Sequence, residues 1–309
     1  MPEQQLHLYQ ETTQEDFTIA RYMNLAKFLS LLTNSSLYFC RLDRLKRDDP
    51  FEGSLNRNDM NSIMDGFLKD ESLKSILTQE LIDNIFDIER EIREKIVNSV
   101  VVNCWHIIEC DSYAMWKLYS GSEYGIAITS TNSKLKHSMS LFRNVYDKPY
   151  DIQPVIYKNY ELEKTLENHH LFNDLLNSYL DFVQYNQYVQ SLKTYDINQD
   201  SEYIKKFFDW QIKALNFYKP LIFSKRNAFE YEKELRVLSL IQIRDNWANN
   251  NQLIGSLEVP VILDYFIDEI FVSPAAPDWF RESVQKIIDK FELNKTVWQS
   301  NLLTPPNCF

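Results

Sequence analysis

The stretch Phe229–Leu240, FEYEKELRVLSL, decides how the fold is read. It sets Glu230, Glu232, Lys233, Glu234 and Arg236 at the head of an apolar, β-prone run. Side chains of an extended strand alternate between faces, so Glu232, Glu234, Arg236, Leu238 and Leu240 are expected on one side. Glu232 and Glu234 would then stand roughly 7 Å apart. Charge gives way to apolar residues within a few positions, as in a strand that leaves a core for solvent or for a cleft. Two carboxylates beside a cation that keeps one of them ionised also form an acid–base set. A solvated strand edge is the plainer alternative.

Around this strand the chain alternates strand and helix patterns. FTIARY (17–22) is short and β-prone, and NLAKFLSLL (24–32) carries Leu25, Phe28, Leu29 and Leu32 at helical spacing. TNSS is turn chemistry, SLYFCRL alternates as a strand, and the loop that follows contains Pro50 and Gly53. VVNCWHIIEC (101–110) and YGIAITST (124–131) read as strands, with a short helix, SYAMWKLYS, between them. SLEVPVIL and DEIFVSP read as strands, DWFRESVQKIIDKF as a helix with Phe280, Val284, Ile287 and Phe291 on one face, and NKTVWQS as a closing strand. Residues near 58–99 and 160–219 are rich in helix formers. The expectation is one α+β domain over 1–309, a single mixed, mainly antiparallel sheet interrupted by these two helix-rich insertions.

Composition narrows the function. The chain has 309 residues, 44% hydrophobic and 25% charged, which is ordinary globular composition. Its formal net charge of −11 disfavours nonspecific coating of nucleic acid or acidic membranes. The densest basic cluster, Arg41, Arg44, Lys46 and Arg47, runs into Asp48 and Asp49 and reads as a solvated turn. With only 5 Gly, no GxGxxG, GxxxxGK[ST] or GxSxG pattern occurs, which excludes the usual phosphate loops and the hydrolase elbow. The 4 Cys show no disulfide framework. The opening stretch is polar and lacks a signal-peptide core, and no apolar run approaches the ~18 residues needed to span a bilayer. A cytoplasmic protein with reduced thiols and no membrane partner is expected.

Three constellations besides the acidic strand could carry chemistry. Cys104, His106 and Cys110 share strand parity and are zinc-ligand types. A strand would spread the two thiols roughly 20 Å apart, so buried thiols and a hydrogen-bonded histidine are expected, with no metal. Trp116 and Tyr119 share a helix face and could wall a site for a flat ring, or simply join the core. Arg41 ends an apolar strand and could clamp an anion or pair with an acidic neighbour.

LYFCRLDRLKRDDPFEG, MWKLYSGSEYGIAI, SKRNAFEYEKELRVL and DEIFVSPAAPDWFRESVQKII resemble successive blocks of an uncharacterised bacterial domain-of-unknown-function family. The chain is also distantly similar to ADP-ribosyltransferases. TIARYMNLAKFLSLL resembles their opening strand and helix with Arg21 as the cation, Thr129, Ser130 and Thr131 resemble their middle strand, and Glu232 and Glu234 match their terminal E-x-E. That resemblance implies NAD as substrate. Glu234 would be the catalytic carboxylate, assisted by Glu232, with Arg21, Tyr22, Arg41, Trp116, Tyr119 and Arg236 as binding residues. The acceptor would be an intracellular RNA, DNA or protein. A toxin or anti-phage defence effector, held by an antitoxin or regulator, is the implied setting. Two rivals stand beside it. One is a ligand-sensing or protein-interaction module in which E-x-E-x-R is a structural ion network. The other, ranked last, is a metal-dependent nuclease using Asp49, Glu52 and Glu232.

Overall fold

The computed structural model describes residues 16–69, 78–121, 123–146, 150–166, 169–192, 200–240 and 256–304. The polar opening stretch, residues 71–77 of the first helical block, residues 195–199, Gly255 and Cys308 lie outside the described residues. The chain groups into two compact units. The first takes the described parts of Met1–Cys40, Val101–Val155 and Glu230–Phe309; the second takes those of Arg41–Val100 and Ile156–Phe229. Most of the two helix-rich blocks expected as insertions therefore falls in the second unit.

The first unit is built on a mixed, mostly antiparallel sheet. It starts with β1 (Thr18–Asn24), which leads into α1 (Leu25–Asn34). Asn24 caps that helix, its side chain accepting from the Lys27 amide at 2.9 Å. Ser35 takes a left-handed conformation and turns the chain into β2 (Ser36–Arg41). Next come β3 (Val100–Ile107), α4 (Tyr113–Tyr119), β4 (Gly125–Thr131), α5 (Asn132–Tyr146) and β5 (Tyr150–Pro154). The last part adds β8 (Glu234–Leu240), β9 (Ser256–Pro260), the single turn α8 (Leu263–Phe266), β10 (Ile270–Val272), α9 (Asp278–Lys290) and β11 (Val297–Gln299). The strand order is β11-β10-β4-β1-β3-β2-β9, with β8 joining β3 to β5. β1 is antiparallel to β3 and β4, β10 to β4, β2 to β9 and β5 to β8, whereas β10 and β11 run parallel.

Register sorts the two faces of this sheet. Ile19 and Met23 of β1, Trp105 of β3, Ile126 and Ile128 of β4, and Leu235 and Val237 of β8 belong to one large apolar core. The opposite face of β1 carries Ala20 and Tyr22, aligned with His106 and Ala127 respectively. Here Met115 and Trp116 of α4 form a smaller cluster with Ala20, Tyr22 and Ala127. On α9, Phe280, Val284 and Ile288 are buried. Phe291, expected on that face, caps the helix end and is 42% exposed, because the apolar row runs in steps of four and has turned past it. The turn from α4 into β4 requires glycine. Gly121 has φ of 82°, and a Cβ on Gly125 would sit 2.1 Å from the Ser120 hydroxyl oxygen.

The second unit contains a 3₁₀ turn at Leu42–Arg47, α2 (Arg57–Lys69), α3 (Gln79–Ser99), α6 (Phe172–Ser191) and α7 (Ser201–Ile222). A parallel pair, β6 (Ile156–Lys158) and β7 (Ser224–Arg226), completes it. Its core is aromatic: Tyr179 and Phe182 of α6 meet Trp210 of α7 at ring separations of 5.2 and 5.9 Å. Pro220, one position past the helix-rich stretch 160–219, lies inside α7. The missing Pro amide costs one helical hydrogen bond, and burial of Leu221 and Ile222 offsets it. Asp59, fully buried, accepts from the amides of Thr165, Leu166 and Asn56 at 2.7, 2.8 and 3.1 Å and ties two loops together.

Candidate functional site

The acidic stretch does not form one continuous strand face. Asn227–Glu232 is a 3₁₀ turn, Lys233 has a left-handed φ of 39°, and β8 begins at Glu234. The kink at Lys233 breaks the alternation, so Glu232 and Glu234 enter different environments. The sequence reading missed it because the turn spans a run without Gly or Pro.

Glu234 and Arg236 form a buried pair. Arg236 Nε donates to Glu234 Oε1 at 2.6 Å and its NH2 group to Oε2 at 3.0 Å; the two residues are 0% and 5% exposed. Leu235 and Val237 point into the main core, so alternation sets Glu234 and Arg236 on the other face. Cys104 of β3 lies beside them. Burial pushes its thiol well above the usual range, and the Glu234 carboxylate adds to this. Cys110 lies past the end of β3 and is exposed, so it does not join Cys104 and His106. No group of three or more metal-ligating side chains occurs among the described residues.

Glu232 sits in a second cluster. Its side chain accepts a hydrogen bond from the Tyr119 hydroxyl, and its backbone carbonyl lies 2.6 Å from His106 Nδ1. A carbonyl can only accept, so Nδ1 carries the proton and Nε2 keeps its lone pair. Burial pulls the imidazole below its ordinary value and Lys233 adds to this, against the opposing pull of the Glu232 carbonyl, Asp111 and Glu109. The ring is therefore neutral near pH 7. Burial and the neighbouring Glu232 carboxylate push the Tyr119 hydroxyl far up, so it stays protonated and donates.

An aromatic wall completes the cluster. Tyr22 meets Trp116 edge-on at 5.0 Å and His106 at 6.0 Å. Asp111, in the loop between β3 and α4, fixes these rings. It accepts from Trp116 Nε1 at 2.9 Å, from the Ser112 amide at 2.9 Å, from the Tyr22 hydroxyl at 3.3 Å and from the Ser300 hydroxyl. Burial and this carboxylate push the Tyr22 hydroxyl upward. Ser112 caps α4, its hydroxyl accepting from the Met115 amide at 3.4 Å. Trp116 is 3% exposed, whereas Tyr119, one helical turn on, is 40% exposed and brings the cluster to the surface.

Of the residues singled out from sequence, Tyr22, Trp116, Tyr119 and Glu232 thus converge with His106. Arg21 does not join them. It shares the core parity of Ile19 and Met23, its guanidinium lies 5.9 Å from the Trp105 ring centroid, and it donates to the Tyr38 carbonyl at 3.3 Å. Arg41 belongs to the second unit, where it pairs with Asp43. Asp49, also there, takes Arg226 at 2.7 Å, and that guanidinium lies 4.5 Å from the Phe51 ring centroid. His106 was legible as a histidine but not as a partner of Glu232, since only the pairing of β8 with β3 creates that contact. Asp111 carried one signal, its place just before a helix cap.

No curated protein and no solved structure matches the chain. One family model matches part of it, from α4 with Trp116 and Tyr119 to the acidic stretch through Arg236: residues 115–237 are similar to DUF2971, described as a protein of unknown function.

Proposed function

We propose that this chain is an NAD-dependent ADP-ribosyltransferase acting on an intracellular macromolecule, with Glu232 rather than Glu234 as the working carboxylate. The observation that carries the reading is the convergence of Glu232 with the Tyr119 hydroxyl, the neutral His106 and the Tyr22–Trp116 wall on one sheet face. Departure of nicotinamide from the ribose builds positive charge on the sugar. A fixed carboxylate stabilises that charge as it develops, and a tyrosine hydroxyl keeps the carboxylate in place. Exposed Tyr119 offers an aromatic face for a flat ring at the mouth of the cluster. Arg21, on the other face of β1, has no part in this reading.

Glu234 is not available for that role while Arg236 holds both of its oxygens. The same pair favours a second reading, a ligand-sensing or protein-interaction module in which the E-x-E-x-R segment is a structural ion network.

Labelled NAD incubated with the protein and a cell lysate separates the two. Transfer of label to a macromolecule, reduced by about 10²–10³ in Glu232→Gln, supports the enzyme. NAD binding by calorimetry without transfer to any fraction leaves the sensing module. Neither binding nor transfer removes NAD from the account.

A further inference from the structure

The chemistry of His106 goes one step beyond NAD cleavage, to the acceptor. We propose that His106 Nε2 takes the proton of the acceptor, and that the acceptor is a hydroxyl side chain of a protein. The proposal rests on the ADP-ribosyl-transfer reading and adds to it both a residue and an acceptor class.

The geometry supplies a base with a defined vacant lone pair. Nδ1 is committed to the Glu232 carbonyl at 2.6 Å, which fixes the tautomer. No described residue hydrogen-bonds Nε2. The ring is 4% exposed and packs 6.0 Å from Tyr22, so it is held by its surroundings. The contact to Glu232 places the base within one residue's span of the carboxylate assigned to the sugar. A base there serves a nucleophile arriving at the same carbon.

Proton bookkeeping selects the acceptor. Nicotinamide leaves with the electron pair of its bond to the ribose carbon and becomes neutral. The acceptor oxygen forms a bond to that carbon, its proton passes to His106 Nε2, and the imidazolium then returns it to water. A carboxylate acceptor has no proton to give and needs no base. A lysine ammonium or arginine guanidinium must lose its proton before it can attack, which a base weaker than ordinary imidazole does poorly. A hydroxyl turns acidic only as its new bond forms, so a neutral imidazole suffices. Between protein and nucleic-acid hydroxyls, charge decides. The chain is at −11, and Glu109, Asp111 and Glu232 lie near the ring with Lys233 as the cation, itself paired with Glu109. A phosphate backbone would meet repulsion there.

His106→Asn is the discriminating variant, since an asparagine amide keeps a donor for the Glu232 carbonyl but offers no base. With labelled NAD and a lysate, the wild type is expected to label protein through a bond resistant to neutral hydroxylamine, mapping to a hydroxyl side chain. At neutral pH, His106→Asn is expected to keep its melting temperature and its affinity for NAD while transfer falls about 10²–10⁴-fold. The wild-type rate is expected to fall with decreasing pH below the ordinary imidazole range, and the variant to lose that dependence. The groups facing the ring are Tyr22 from β1, Cys104 from β3, Glu109 and Asp111 after it, Glu232 and Lys233 before β8, and Tyr119 from α4 through Glu232. An acid limb that persists in His106→Asn belongs to one of these and overturns the proposal. So does an unchanged rate, a hydroxylamine-labile bond, or label found on RNA or DNA. Each of these leaves NAD transfer standing. A wild type that labels nothing removes the parent reading as well.

Discussion

Removing Arg236 tests the buried pair directly. In Arg236→Met, Glu234 stays in a site only 5% exposed after losing hydrogen bonds of 2.6 and 3.0 Å. Breaking a buried ion pair from one side costs about 3–5 kcal/mol, because the remaining charge loses the opposite charge that offset its desolvation. The double variant Glu234→Met with Arg236→Met removes both charges and keeps similar volume, so most of that loss is expected to return. β8 pairs with β3, and both supply side chains to the main core, so local opening should report the change. Native-state hydrogen exchange on peptides covering 101–107 and 234–240 is the assay. A loss of about 3–5 kcal/mol corresponds to exchange roughly a hundred- to several-thousand-fold faster in the single variant. The double variant should come back to within about tenfold of wild type. Exchange in Arg236→Met within about threefold of wild type would mean that water already solvates Glu234, and the structural reading of the pair would fail.

Alkylation of the native protein at neutral pH, mapped by peptide mass spectrometry, should modify exposed Cys110 and spare Cys104 until unfolding, since burial and Glu234 keep the latter protonated. Equal rates at the two thiols would contradict the raised thiol of half-buried Cys104. Asp59→Ala leaves the Asn56, Thr165 and Leu166 amides without their acceptor and should cost the second unit about 3 kcal/mol or more; Asp59→Asn keeps one acceptor oxygen and should cost less. Exchange rates at Thr165 and Leu166 report the difference. Stability should also depend on pH through His106. Its folded value lies below that of the unfolded chain, so its contribution is complete above about 6.5 and is lost as pH falls through the folded value. Melting temperature measured against pH should show a component that disappears in His106→Asn, and an identical profile in the variant would assign it elsewhere.

Local pattern determined much of this protein. The helical spacing of Leu25, Phe28 and Leu32, the TNSS turn and the alternation of SLYFCRL are short-range properties, each written within one segment. They suffice for the α+β class and for the mostly antiparallel sheet, because hydrophobic period and turn chemistry act over a few residues. The pairing of Trp116 with Tyr119 was also legible, since helix geometry alone puts residues three apart on one face. What tertiary structure decided is which of these faces meet. FEYEKELRVLSL reads as one strand with two equivalent carboxylates; the left-handed Lys233 splits it, sending Glu234 to Arg236 and Glu232 to Tyr119 and His106. Arg21 and Tyr22 are neighbours in sequence, yet the pleat of β1 sends them to opposite faces of the sheet. The contact between His106 and Glu232 spans 126 positions, and no local period encodes it. Such a contact arises from strand order and burial, which the whole core sets together, and it is there that the candidate chemistry of this chain resides.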